Sequence, residues 1–235
     1  MRLLIDAGNT NIKLAWVAGD TWLSAVTYPI NQAIELSDAF DVHEVYVSNV
    51  AGVEVESRIR EACAARHLVP KFIVSQAEQC GVKNGYAFPG QLGSDRWAAL
   101  IAAWQHAGTA CLVVVSGTAT TIDAISGCGE FMGGLIMPGI ELMQRSLFEG
   151  TARLQVSGGS YSPFPRNTAD ALLSGAIQAA CGAIQRQYAL LDVVNAPVLL
   201  SGGAACLLSP HLSLPVMQVD NLVLKGLLLI AQDDV

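Results

Sequence analysis

Asp6-Ala7-Gly8-Asn9-Thr10-Asn11-Ile12-Lys13 sets a carboxylate and an ammonium at the two ends of a Gly-Asn-Thr-Asn run. Backbone N–H groups and hydroxyls in such a turn can surround phosphate oxygens. An Asp at its entry can hold Mg²⁺, directly or through water, and a Lys at its exit can neutralise a phosphoryl group in transfer. The same composition makes an ordinary hairpin in which Asn and Gly serve only the turn, so the local sequence leaves both readings open. Gly117-Thr118-Ala119-Thr120-Thr121 has a similar character further along. Threonine is common in strands for its β-propensity, so one such turn says little. Two phosphate-facing turns opposing each other would grip a nucleotide better than either alone. Neither GxxxxGK[ST] nor GxGxxG occurs, which argues against P-loop and Rossmann modes.

Gly93-Ser94-Asp95-Arg96 stands where a helix is expected to begin. The helix dipole is expected to hold Asp95 as a carboxylate, able to accept a hydroxyl proton. Arg96 could anchor a substrate carboxylate or stabilise developing charge. Asp95 acting only as a cap, with Arg96 in solvent, is the competing reading. Gly133-Gly134-Leu135-Ile136-Met137-Pro138-Gly139 and Ser201-Gly202-Gly203-Ala204 allow close backbone approach, to a ligand or merely within a turn. His43, His67, His106 and His211 fall in separate segments with no GxSxG elbow, which disfavours a Ser-His-Asp hydrolase.

Elements that could hold these residues read clearly. Strands are expected over 3–6, 12–17, 21–27, 44–50 and 71–74, with helices over 54–66 and 95–106 and a loop from 79 to 91 carrying Tyr86. The pattern restarts with strands over 110–115 and 120–125 and a third ending near Ile136. A helix after Gly139, an irregular stretch over 156–166, a long helix over 168–191, a strand over 198–200 and a closing helix from about Asn221 follow. An apolar strand, a Gly-Asn/Thr turn and antiparallel strands thus open both halves. That implies duplicated domains, 1–108 and 109–235, facing each other across a cleft.

The composition supports a large core, with 52% hydrophobic and 14% charged residues. A formal charge of −7 without a basic run argues against a nucleic-acid surface. Asp6 interrupts the apolar start where a signal peptide would continue, and no uncharged apolar stretch is long enough to span a bilayer, so a soluble cytoplasmic protein with no membrane partner is expected. Six cysteines without a CxxC pair make a zinc site or disulfide framework improbable.

The four segments 6–13, 93–96, 117–121 and 133–139, taken in order, resemble the type III pantothenate kinases over nearly the whole chain. The resemblance implies an α/β fold of two ribonuclease H-like, actin-like ATPase domains, each a mixed sheet flanked by helices, with a cleft between them. It implies ATP-dependent phosphorylation of pantothenate in a homodimer. On this resemblance Asp6, Ala7, Gly8, Asn9, Thr10, Asn11, Ile12 and Lys13 bind the phosphates of ATP, Asp6 also holds Mg²⁺, and Thr118 touches the nucleotide. Asp95 is the proton acceptor; Tyr86, Gly93, Ser94, Asp95, Arg96 and Thr168 contact pantothenate. The family usually has an Asp two residues before the Gly of Gly-Thr-Ala, where it binds a monovalent cation. Here that position is Val115, so no cation is expected there and dependence on K⁺ or NH₄⁺ is left open. A kinase-like regulator, such as an auxiliary transcription factor, and a kinase of another small polyol are the alternatives.

Overall fold

The computed structural model describes residues 1–150 and 158–234; residues 156 and 157 of the expected irregular stretch lie outside the described residues. In chain order the strands and helices are β1 (Arg2–Ala7), β2 (Asn11–Ala18), β3 (Thr21–Pro29), β4 (Glu44–Asn49), α1 (Val53–Ala64), β5 (Pro70–Phe72), β6 (Glu78–Gln79), β7 (Val82–Asn84) and α2 (Ser94–Ala107). They continue with β8 (Cys111–Ser116), β9 (Ala119–Ile125), β10 (Glu130–Pro138), α3 (Ile140–Gly150), α4 (Thr168–Leu191), β11 (Val198–Ser201), α5 (Ala205–Leu208), β12 (Val216–Gln218) and α6 (Leu222–Asp233). Contacts divide the chain into two compact units, Met1–His106 with Leu222–Val235, and Ala107–Asn221.

In the first unit the strand order is β3-β2-β1-β4-β5. β1, β2 and β3 pair antiparallel, while β1–β4 and β4–β5 are parallel. Leu3, Leu4 and Ile5 are all fully buried, the signature of a central strand covered on both faces. The long crossover from β3 to β4 is fastened by two arginines, one on α1 and one in the turn just after it. Arg58 donates to the carbonyls of Ile30 and Gln32, and Arg66 to those of Ser37 and Phe40. Trp16 stacks on Phe40 with ring centroids 5.3 Å apart, which closes the crossover over β2.

The expected halves put α6 in the second; its contacts group it with the first. Leu-rich and largely buried, α6 packs against β1 and β4. Gly226 makes the fit with α2 possible, because a Cβ there would stand 1.9 Å from the Ala98 carbonyl oxygen. A second difference lies in the expected loop over 79–91. Its start folds into the small hairpin β6–β7, whose turn residues Cys80 and Gly81 both have positive φ (49° and 78°).

In the second unit the strands run β12-β11-β8-β9-β10, with β8, β9 and β10 antiparallel and β8–β11 and β11–β12 parallel. Helix α4 covers β8 and β9, burying Ile177, Ala180 and Ile184 with Leu112, Val114 and Ile122. Its N-terminus is fixed by Asn167, whose side-chain oxygen accepts the Asp170 N–H at 2.9 Å. Both sheets follow one plan: a central first strand, antiparallel second and third strands on one side, parallel fourth and fifth on the other. Among the described residues no helix is long and apolar enough to cross a membrane.

Candidate active site

The alternation of β1 and the short turn after it bring Asp6 directly opposite Lys13 on β2, and the parallel pairing puts Ser48 of β4 beside it. Residues paired across a sheet project from the same face. Burial pushes the Asp6 carboxyl up to about 6; Lys13 pulls it down and Asp95 pushes it further up. Desolvation therefore outweighs the ammonium opposite, and the sheet register explains why the first and last residues of the 6–13 run act on each other. In the turn between them the Gly8 N–H donates to the Asn11 carbonyl at 3.0 Å. Asn9, Thr10 and Asn11 are exposed, whereas Ala7 and Ile12 bury their side chains in the core and present only backbone.

Asp95 lies in the first turn of α2. The helix dipole favours its ionised form, and burial acts against that form. Burial raises its pKa, while the Arg96 N–H (2.8 Å from Oδ1) and the Arg96 charge offset only part of the rise. Partial charges at a helix end are weak against the loss of water around a carboxylate. A carboxylate so raised is a stronger base once ionised. Gly93 leaves it room, since a Cβ at that position would lie 2.6 Å from Asp95 Oδ1.

Arg96 is buried, and its Nη1 donates to the Tyr86 hydroxyl at 3.0 Å, with the guanidinium 5.8 Å from the ring centroid. A solvated charge at this position is thereby ruled out. The segment carrying Tyr86 is shaped by polar contacts: Asn84 Oδ1 accepts the Tyr86 N–H at 3.0 Å, and Ser75 Oγ lies 2.5 and 2.8 Å from the carbonyl oxygens of Pro89 and Leu92. Ser94 Oγ is 2.9 Å from Ser48 Oγ. The first unit thus gathers Asp6, Lys13, Tyr86, Gly93, Ser94, Asp95 and Arg96.

The remaining expected residues belong to the second unit. Thr118 is exposed in the β8–β9 turn, and its carbonyl accepts the Gly139 N–H at 2.9 Å. A Cβ at Gly139 would stand 2.0 Å from the Gly117 carbonyl oxygen, which explains the glycine closing the 133–139 segment. Thr168, the first residue of α4, lines an open groove of ≈ 760 Å³ between α3 and α4 together with Met143, Arg166 and Ala171.

Val115 pairs across the sheet with Thr121, whose buried hydroxyl has no hydrogen-bond partner among the described residues. The Val115 side chain supplies no oxygen with which to ligate a monovalent cation. Asp123, which the sequence reading passed over, is a further candidate. It is buried on β9 in register with Gly134, where a Cβ would lie 2.0 Å from its Oδ1. A single carboxylate inside the expected strand 120–125 was the signal.

Among the described residues no group of three or more His, Cys, Asp or Glu could hold a metal unaided. Asp6, raised in pKa and repelled by Asp95, does fit an ion such as Mg²⁺, which takes one or two carboxylates and fills its shell with water and phosphate oxygens. Together the groups can seat phosphates on a turn, orient them with a lysine, and take a proton from a hydroxyl.

A family model for type III pantothenate kinase matches residues 2–190. A type III pantothenate kinase of Nitrosospira multiformis is 45% identical over 238 residues, covering 98% of this chain and 91% of that protein. One from Aromatoleum aromaticum is 44% identical over 239 residues, covering 100% and 99%. Among solved structures, a Campylobacter jejuni protein of the Baf family, named as a transcriptional activator, superposes with TM-score 0.64 at 23% identity, over 99% of this chain and 98% of that one. At that identity the likeness shows the fold alone.

Proposed function

The chain belongs to the type III pantothenate kinase family, and from that premise we propose how its residues carry the reaction. The reaction is the ATP-dependent phosphorylation of pantothenate to 4′-phosphopantothenate, the first step of coenzyme A biosynthesis. The α/β fold of mixed sheets flanked by helices is that of the actin-like ATPase superfamily. We read the two units as ribonuclease H-like domains, a reading supported by their shared strand plan.

The observation that carries the residue assignment is the electrostatic pairing of Asp6 with Asp95 beside Lys13. The amides of the 7–12 turn bind ATP phosphates, Lys13 orients them, and Asp6 holds Mg²⁺. When bound, that ion neutralises charge on the transferring phosphoryl group. Thr118 contacts the nucleotide from the β8–β9 turn. Tyr86, Gly93, Ser94, Arg96 and Thr168 position pantothenate, and Asp95 accepts its hydroxyl proton as the oxygen attacks in line. The enzyme works as a cytoplasmic homodimer, in keeping with the resemblance of its motifs to the family.

A pH profile tests the assignment. Asp6 must be ionised to hold the metal, so kcat/KM falls as pH drops through about 6, the value to which burial pushes this carboxyl. The effect on stability has a definite sign. Because the folded pKa lies above the unfolded one, the stability this group contributes to the ligand-free protein is fully present below the unfolded value near 3.8 and is lost as pH rises through about 6. A kcat/KM profile flat down to pH 5 would contradict the role of Asp6.

The second expectation concerns Val115. With no side-chain oxygen at that position, kcat in sodium buffer is expected to match kcat in potassium or ammonium buffer within about twofold. A tenfold stimulation by K⁺ would show that other ligands restore the site.

A further inference from the structure

Ser48 belongs to none of the segments that carry the family resemblance, yet the fold brings it to the centre of the site. It is on β4, in parallel register with Asp6 on β1, so the two side chains project from one face of the sheet. Its side chain is fully buried, and its hydroxyl lies 2.9 Å from that of Ser94, itself buried at the first position of α2. The next residue is Asp95, whose charge acts on Asp6. Two hydroxyls removed from water and bonded to each other fix a distance, because separating them leaves both without a partner.

The surroundings make this contact the tie between β4 and the start of α2. Past β4 the chain turns under the control of Asn49, whose Oδ1 accepts the Ala51 N–H at 3.0 Å while its Nδ2 donates to the Gly52 carbonyl at 3.0 Å. The Val50 N–H meanwhile donates to the Ala7 carbonyl at 3.0 Å, keeping that end of β4 against β1. The platform is therefore rigid where Ser48 projects, while Gly93, just before α2, has no side chain with which to hold the helix end.

We propose that Ser48 is a positioning residue for the phosphoryl transfer: through its hydrogen bond to Ser94 it sets the start of α2 and so the spacing between the Asp95 and Asp6 carboxylates. Ser48 touches neither substrate and acts through Ser94. The inference rests on the reading of Asp95 as proton acceptor, and the test separates the two.

Steady-state rates are measured for wild type, Ser48→Ala, Asp95→Asn and the double variant, with folding checked by circular dichroism. Ser48→Ala is expected to lower kcat by about tenfold, the scale of one misaligned catalytic contact, with both KM values within about twofold. In the Asp95→Asn background the same change should lower the rate by less than about twofold, since the group being positioned is gone. Wild-type kcat in Ser48→Ala, or an equal loss in both backgrounds, would overturn the positioning role. Wild-type kcat in Asp95→Asn would instead overturn the proton-acceptor reading. Should Ser48→Ala not fold, Ser48→Cys keeps the volume while replacing the hydroxyl with a weaker hydrogen-bonding thiol, and carries the same comparison.

Discussion

Asp95→Asn is expected to lower kcat by about 10²–10⁴-fold, the range for loss of a positioned general base. The amide nearly preserves the side chain's shape, and its oxygen can still accept the Arg96 N–H that now lies 2.8 Å from Oδ1. The start of α2 should therefore keep its geometry, and KM for ATP and pantothenate should stay within a few-fold. What disappears is an acceptor whose basicity burial has raised. A second signature comes with it. Asp95 is one of the groups pushing the Asp6 carboxyl up, so the residual activity of the variant should have its acid limb at lower pH than wild type. A loss of rate without that shift would point to damage elsewhere, and an unchanged rate would remove Asp95 from the chemistry.

Gly226→Ala is expected to destabilise the protein by roughly 3 kcal/mol, the upper end for overpacking a tight helix contact. The added methyl would stand 1.9 Å from the Ala98 carbonyl oxygen and 2.4 Å from its carbon. Both belong to backbone inside α2, so no side-chain rotation relieves the clash, and α6 must move away from the sheet it covers. Urea denaturation would measure the change as a lower midpoint with m preserved. Because Asp95 and Arg96 lie within one turn of Ala98 on α2, any protein still folded should lose rate as well as stability. A midpoint equal to wild type would mean that α6 does not dock in this way.

Much of the fold was legible because the central strands are apolar runs bounded by Gly, Asn and Asp turns. The 24-residue helix α4 was legible from end to end, since Asn167 caps it and apolar residues recur along one face. Short elements were not. β6, β7 and β12 have two or three residues each, too few for any period to show. The side on which α6 packs was also hidden: a Leu-rich helix announces that it will be buried, not against what. Gly226 was the available hint, because a glycine inside a helix usually marks a close approach.

The site divides in the same way. Asp6, Lys13 and Asp95 could be named from residue type and spacing, and the register across β1 and β2 then accounts for the first two acting on each other. The raised pKa of Asp95 was hidden because local sequence shows a helix start but not the burial that acts against the dipole. Local sequence alone favours a solvent-exposed Arg96; the fold instead buries it, with the Tyr86 hydroxyl ten residues earlier accepting its hydrogen bond at 3.0 Å. Ser48 and Asp123 went unassigned because a lone Ser at the end of a strand, or a lone Asp within one, carries no spacing rule. Their significance comes from parallel or antiparallel neighbours that only the folded sheet supplies.

The most direct test is ADP release by the purified chain with Mg-ATP, in the presence and absence of pantothenate. The account predicts turnover that depends on pantothenate and yields one phosphopantothenate per ADP. ADP release that ignores pantothenate, or none at all from protein shown to be folded, would contradict it.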